Sequence, residues 1–314
     1  MVTPVSTQNT YSVILTDILS AQNKELTAQQ QVSTGKKGND LTDFGDQTRS
    51  LIATNTVKSR VDGLVSQLNN LQVKLNFQQT ALGQVSDVAA SVKQTLMNAL
   101  ASGQGDGIMS DLNSFFSQAA QALNSQYGGD YLFSGGQTQT KPFTAPDLAT
   151  LTTGTVASFF QNGNLTPANR IDDATTIPTG FLASAVGQQL MQAFQDIQNF
   201  QQSGAGNFGG QLTQAQQTFL QTEIGNLDTV ATSTTQTTAQ GGDIQKRVGD
   251  AAKAQTDRQT TLTNVLGDIT DVNMAQAASD LTQAQSAVQA SAQVFLALKG
   301  MSLLNYLGSS VATG

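Results

Sequence analysis

The chain reads as a mainly α protein: an elongated antiparallel helical hairpin, a coiled-coil rod with paired terminal helices and a small β/loop insert. Three observations carry that reading. The first is a register from Val57 to Ala99, stepping four and three: Val57, Val61, Leu64, Leu68, Leu71, Leu75, Gln78, Leu82, Val85, Ala89, Val92, Leu96 and Ala99. A seven-residue repeat held this long makes an apolar seam on one helix, which winds left-handed against a partner. At 1.5 Å rise per residue that helix is about 60 Å long. The second is a heptad run near the C-terminus: Met274, Ala277, Leu281, Ala284, Val288, Ser291, Phe295 and Leu298. The third is a break in character at 136–180, which holds four of the five prolines, many threonines and little helical period.

In chain order, residues 1–33 place Tyr11, Ile14, Ile18, Ala21 and Ala28 on one helical face, and Gly35 is positioned to end that helix. A loop runs to Gly45, and the long helix follows to Ala101. Three glycines within Ser102–Gly107 make a turn. Met109–Gln126 reads as a helix that buries Leu112, Phe116, Ala119 and Leu123. Tyr131-Leu132-Phe133 is strand-like, and 136–180 are short strands and loops facing solvent. Phe181–Phe200 is helical again, with Leu182, Val186, Leu190, Phe194 and Ile197. Another long helix spans Leu212–Asp268, although Ala231–Gly242 is rich in threonine, a mediocre helix former that packing must hold. Asp268 and Asp271 are expected to cap and begin the last helix.

This order is palindromic, so the first helix pairs with the last and the second with the penultimate. The divisions expected are an N-terminal helix and loop at 1–45, rod parts at 46–135 and 206–268, an outer insert at 136–205, and a C-terminal helix and tail at 269–314. Lys141–Pro178 should be removable with the paired helices intact. The terminal seams are rich in Ala and Ser. At ~25 cal/mol per Å² their burial hardly offsets an ordering cost of ~1–2 kcal/mol per residue, so these helices should order on assembly.

Composition excludes several functions. Charged residues are 12% of the 314, about half the usual share, and Gln, Asn, Ser and Thr fill the surface instead. Such a surface repels its copies weakly and suits close self-packing. The net charge is −7 and the pI is near 4.4. No Lys/Arg cluster exceeds two neighbours, so nucleic-acid binding is not expected. Cys, His and Trp are absent, which removes thiolate nucleophiles, disulfides and Cys/His zinc sites. The longest purely apolar run is Val294–Leu298, far short of a membrane span. No apolar leader follows Met1, so Sec export is not expected, and export by a route that leaves no cleaved leader stays open.

Motifs of chemistry dissolve on inspection, and no catalytic, cofactor-binding or metal residues are expected. Gly204-Ala205-Gly206-Asn207-Phe208-Gly209 follows a helix instead of a strand, so it is a loop and not a dinucleotide site. Asp43-Phe44-Gly45 lacks every companion of a kinase and is a turn. Asp40, Asp43 and Asp46 lack calcium-loop spacing and fit solvated or N-cap roles. Gln78 either fixes register against a polar partner or sits where the seam drifts to the surface, and drift is the favoured reading.

Three stretches carry a family resemblance. Gln29-Gln30-Gln31-Val32-Ser33-Thr34-Gly35-Lys36-Lys37 resembles the helix and Ser-Thr-Gly-Lys turn of the flagellin superfamily of bacterial axial proteins. Asn39-Asp40-Leu41-Thr42-Asp43 follows without the proline many members carry there. Gly129-Asp130-Tyr131-Leu132-Phe133-Ser134-Gly135-Gly136-Gln137-Thr138, through Pro142-Phe143, is similar to a stretch of the hook–filament junction members, the hook-associated protein 3 group. So are Val288-Gln289-Ala290-Ser291-Ala292-Gln293-Val294-Phe295 and Gly300-Met301-Ser302-Leu303-Leu304-Asn305-Tyr306-Leu307. The resemblance spans 1–145 and 205–310.

The resemblance implies a structural subunit of the extracellular bacterial flagellum joining hook to filament, with the two terminal helices as its inner core. It is exported by the flagellar type III apparatus and forms a ring or helical layer of identical copies. The implied neighbours are hook-associated protein 1, the flagellin of the filament and an export chaperone. Filament-forming flagellin is the alternative of the same class, and a secreted coiled-coil translocator or effector that of another. The assembly residues expected are Tyr11, Ile14, Ile18, Leu281, Val288, Phe295, Leu298, Met301, Leu303, Leu304 and Leu307. The apolar tail, Val294 to Leu307, packs on neighbouring subunits and a chaperone, or folds back on the first helix.

Overall fold

A computed structural model describes the backbone of residues 4–311 and the side chains of residues 12–297. Its helices are α1 (Pro4–Thr34), α2 (Thr48–Ser102), α3 (Ile108–Leu123), α4 (Leu148–Leu151), α5 (Ala183–Gln202), α6 (Gln214–Thr270) and α7 (Met274–Val311). Two antiparallel strand pairs accompany them: β1 (Gln126–Tyr127) with β2 (Asp130–Tyr131), and β3 (Ala168–Arg170) with β4 (Thr176–Pro178). The chain divides into two compact units, one of Met1–Arg60 with Gln259–Gly314, the other Val61–Arg258. Among the described residues no helix is long and apolar enough to cross a membrane.

In the central unit, α2 buries the seam that its heptads mark. Val61, Leu68, Leu71, Leu75, Leu82, Val85, Ala89, Val92, Leu96 and Ala99 are all buried, and Leu64 is half-buried. The covering helix is α6, running antiparallel. Gln72 lies against Gly249, Asn76 bonds Gln245, Gln79 Nε2 donates to Thr238 O (3.1 Å), and Lys93 pairs with Asp228. Numbers rise along one helix as they fall along the other. The threonine-rich part of α6 stays helical, as packing requires. Thr234 is buried there, and its hydroxyl donates back to Val230 O (3.0 Å), which removes a polar group from the core's account.

Beside this pair, α3 and α5 pack on one another. Leu112, Phe116, Ala119 and Leu123 are buried from α3, and Val186, Leu190, Phe194 and Ile197 from α5. They approach closely at Gly187, where a Cβ would stand 2.5 Å from a Leu123 methyl. Phe116 meets Phe194 edge-on, with centroids 5.7 Å apart, a favoured aromatic geometry.

Three expectations are corrected here. The segment 136–180 does not face solvent as a removable insert. Phe143, Leu148, Leu151 and Val156 are buried in the same core as Phe116 and Phe194, while Ile171 and Ile177 pack with Leu68, Leu71 and Leu75. Aperiodic spacing hid this, because loop residues reach a core without a helix's repeat.

Gln78 does not drift to the surface. It is 2% exposed, and in the amide orientation that satisfies both its groups it donates to Thr179 O (3.1 Å) and accepts from Phe181 N (3.2 Å). It is the polar partner that ties α2 to the backbone entering α5.

Asp268 and Asp271 do not begin the last helix. Asp268 lies within α6, which runs to Thr270, and α7 starts at Met274. Asn273 caps it instead, with Oδ1 accepting from Ala275 N (3.0 Å) and Gln276 N (3.3 Å).

Candidate assembly surface

The expected assembly residues lie on α1 and α7, which pack together in the terminal unit. Ala21 and Ala28 of α1 and Ala277 and Ala284 of α7 are buried. Ile14 and Ile18, and Leu281, Val288 and Phe295, are half-buried on the same heptad faces. Small residues at the closest positions bring the two backbones near, at the expense of buried apolar area. Met274, expected in this register, is 48% exposed. The side chains of Tyr11, Leu298, Met301, Leu303, Leu304 and Leu307 lie outside the described residues.

The base of this pair is fastened by the Ser-Thr-Gly-Lys turn. Gly35 adopts φ +69, which glycine takes without strain, and its N–H donates to Gln31 O (2.8 Å). The chain then runs antiparallel to the α6–α7 connection: Lys37 N donates to Thr270 O (2.7 Å) and Val272 N to Gly35 O (3.0 Å). Lys36 pairs with Asp271. Lys37 Nζ donates to Asp268 O (2.7 Å) and Ile269 O (3.0 Å), setting a cation on the carbonyl end of α6. The hydrogen bond from Lys36, helped by Thr270, holds the Asp271 carboxyl below its ordinary value.

A groove of about 770 Å³ runs along this helix pair. Thr16, Leu19, Asn23 and Thr27 line it from α1, and Gln283 and Ala287 from α7. Beside it lies a feature that sequence reasoning missed. Leu15, Leu19 and Leu26 are each more than half exposed. They share a register with Gln22, one residue out of phase with the buried one, so α1 carries two stripes about 100° apart. The four–three spacing of 15, 19, 22 and 26 was the available signal. On α7, Val294 (51%) and Leu296 (64%) are exposed as well.

Among the described residues no three acidic groups gather as a metal site. Glu223 is a carboxyl pushed up to about 7 by burial and by the neighbouring charge of Asp196. Asn226 donates to its Oε1 (3.1 Å), and its Oε2 is buried with no partner. It stands on α6 among the buried residues of the central unit.

Comparison with known proteins bears on these surfaces. Residues 224–307 match the family model of the bacterial flagellin C-terminal helical region. No curated protein matches by sequence. Among solved structures, the chain is similar to a protein from Vibrio parahaemolyticus provisionally assigned as flagellar hook-associated. The identity is 16% and the TM-score 0.55, covering 73% of this chain and all of that one. It is similar too to Bacillus cereus FlgL, at 15% identity and TM-score 0.50, covering 69% of this chain and 98% of that one. The chain thus has the fold of these flagellar proteins and carries, over 224–307, a match to the C-terminal helical region of bacterial flagellins.

Proposed function

We propose that this chain is a structural subunit of the bacterial flagellum, outside the cell, that joins hook to filament. The observation that carries this reading is the likeness to a hook-associated fold over the whole of that structure, together with a flagellin-type C-terminal region. In this reading α1 and α7 form the face through which identical copies pack in a ring or helical layer. Ile14, Ile18, Leu281, Val288 and Phe295 hold the two helices together, and Tyr11, Leu298, Met301, Leu303, Leu304 and Leu307 are the other residues proposed to take part in assembly. Hook-associated protein 1 and filament flagellin are the neighbours on either side, an export chaperone holds the tail beforehand, and no catalysis is involved.

A filament-forming flagellin is the second reading, favoured by the identity of the matched C-terminal family. Sedimentation of the purified protein under filament-seeding conditions separates the two. A stable monomer that adds a short layer to isolated hooks supports the junction role. Long polymers of this chain alone support the flagellin role.

A further inference from the structure

The β3–β4 hairpin lies on the α2–α6 pair. Two helices crossing alone leave their outer seam residues wet. Yet Leu68, Leu75 and Val248 are almost fully buried, in a small cluster completed by Ile171 and Ile177 of the hairpin. This cluster is separate from the larger core built on Phe116, Phe143 and Phe194.

Polar contacts pin the hairpin at its tip, its turn and its base, where Gln78 also donates to Thr179 O. Asp173, at its tip, reaches Arg258 of α6 (3.5 Å) and is also bonded by Arg170 (3.1 Å). Asp172 holds the turn by accepting from Ala174 N and Thr175 N, both 2.7 Å. At its base Thr179 N donates to Pro167 O (2.9 Å), so the chain enters and leaves at one point. Each strand is three residues long. A two-stranded ribbon of that size has no stability of its own and holds its shape only while docked.

We propose that the β3–β4 hairpin is a reversible strap: docked, it seals the α2–α6 seam around residues 64–75 and 244–258, and it opens as a unit, on its own, before the rest of the central unit unfolds. The closed base is a hinge, the two isoleucines are the latch, and the Asp173–Arg258 pair sets the tip in register. Opening uncovers Leu68, Leu71, Leu75 and Val248 and leaves the aromatic core intact.

The experiment is amide hydrogen exchange on the full chain and on two variants. One replaces residues 168–178 by two glycines, which the adjacent Pro167 and Thr179 can accommodate. The other is Ile171→Ser with Ile177→Ser, which keeps the hairpin but removes the latch. In both, exchange over 64–75 and 244–255 is expected to rise at least about tenfold, the scale set by burying one such side chain, while 82–99, 108–123 and 183–197 keep wild-type protection. Unchanged protection over 64–75 would overturn the strap. Equal loss over 82–99 would overturn it too, because the hairpin would then be one with the main core.

Discussion

The central and terminal units bury helix seams in opposite ways. In the central unit the seam residues of α2 are Leu and Val, several with no exposed surface, and aromatic rings from α3, α5 and the 143–160 loops fill the space beside them. In the α1–α7 pair of the terminal unit the buried seam positions are alanines, the larger seam residues are half-buried, and Leu15, Leu19 and Leu26 stand out in water. At ~25 cal/mol per Å² the first arrangement stabilises a fold within one chain, and the second leaves much of its apolar area in water. A leucine seam closes on itself, and an alanine seam leaves the leucine stripe beside it exposed, which is the surface the proposed assembly role would use.

The largest effect expected is from deleting Lys141–Pro178. It removes Phe143, Leu148, Leu151 and Val156 from the main core and Ile171 and Ile177 from the smaller one. Each large-to-small loss of this kind costs ~2–5 kcal/mol, so the six together, about 12–30 kcal/mol, match or exceed the ~5–15 kcal/mol of a typical domain. Circular dichroism should show the central unit unfolded. A deleted chain that melts cooperatively near the wild-type temperature would return these residues to the role of a dispensable insert.

Much of this contrast was written in the sequence, and the gaps have physical causes. Heptad periodicity located the α2 seam because every turn of a long helix repeats the same environment, from Val61 to Ala99. Gly35 marked the end of α1 because its left-handed backbone leaves a residue-type signature. Phe143 and Leu151 are invisible as core because neither a loop nor a single helical turn carries a period. Gln78 misled because a polar residue in an apolar seam looks the same whether it drifts outward or finds a partner; Thr179 and Phe181 lie about a hundred residues away. Asp271 was read as a helix start from its local neighbours, whereas its partner, Lys36, comes from the other end of the chain. Of the assembly surface, the register marks the α1–α7 faces, and the Leu15–Leu26 stripe escapes it because it lies one residue out of phase with the longer apolar register of Ile14, Ile18, Ala21 and Ala28.

Gln78→Ala should have the next largest effect. It leaves Thr179 O and Phe181 N buried without their side-chain partner and opens a small cavity, for a cost of about 1–3 kcal/mol. Denaturant unfolding of the central unit measures it. A midpoint equal to wild type would mean that Gln78 is dispensable where the seam meets α5.

Glu223→Gln should act with pH. Burial and Asp196 raise the folded-state value of this carboxyl to about 7 from an ordinary 4.5. The folded state thus holds the proton more tightly than the unfolded chain, and this group's contribution to stability falls as pH rises from 4.5 to 7, then levels. Glutamine mimics the protonated form and removes that slope. The variant should match wild type near pH 4 and exceed it at pH 8, measured as the difference between the two melting curves. A pH-independent difference would show that Glu223 is ionised and paired throughout. The exposed carboxyls with lowered values, Asp147, Asp172 and Asp271, work in the opposite sense below 3.8 and cancel in the comparison.

The smallest effect on the monomer is expected at the stripe of α1, and it tests most directly what that stripe is for. Leu19→Ser with Leu26→Ser removes two side chains that are more than half exposed. Surface substitutions of this kind change stability by no more than about 0.5 kcal/mol, so the monomer should melt as wild type does. Assembly should suffer, because in the proposed role these leucines lose their water when a neighbouring copy packs on α1. The paired control is Ile18→Ser. It lies one residue out of phase, on the half-buried face toward α7, and should loosen the helix pair within the monomer. Addition to hooks, followed by sedimentation or by motility of a strain that lacks the wild-type protein, reads the difference. Normal assembly by the double variant would leave the stripe without a role in packing and place the contact elsewhere on the terminal helices.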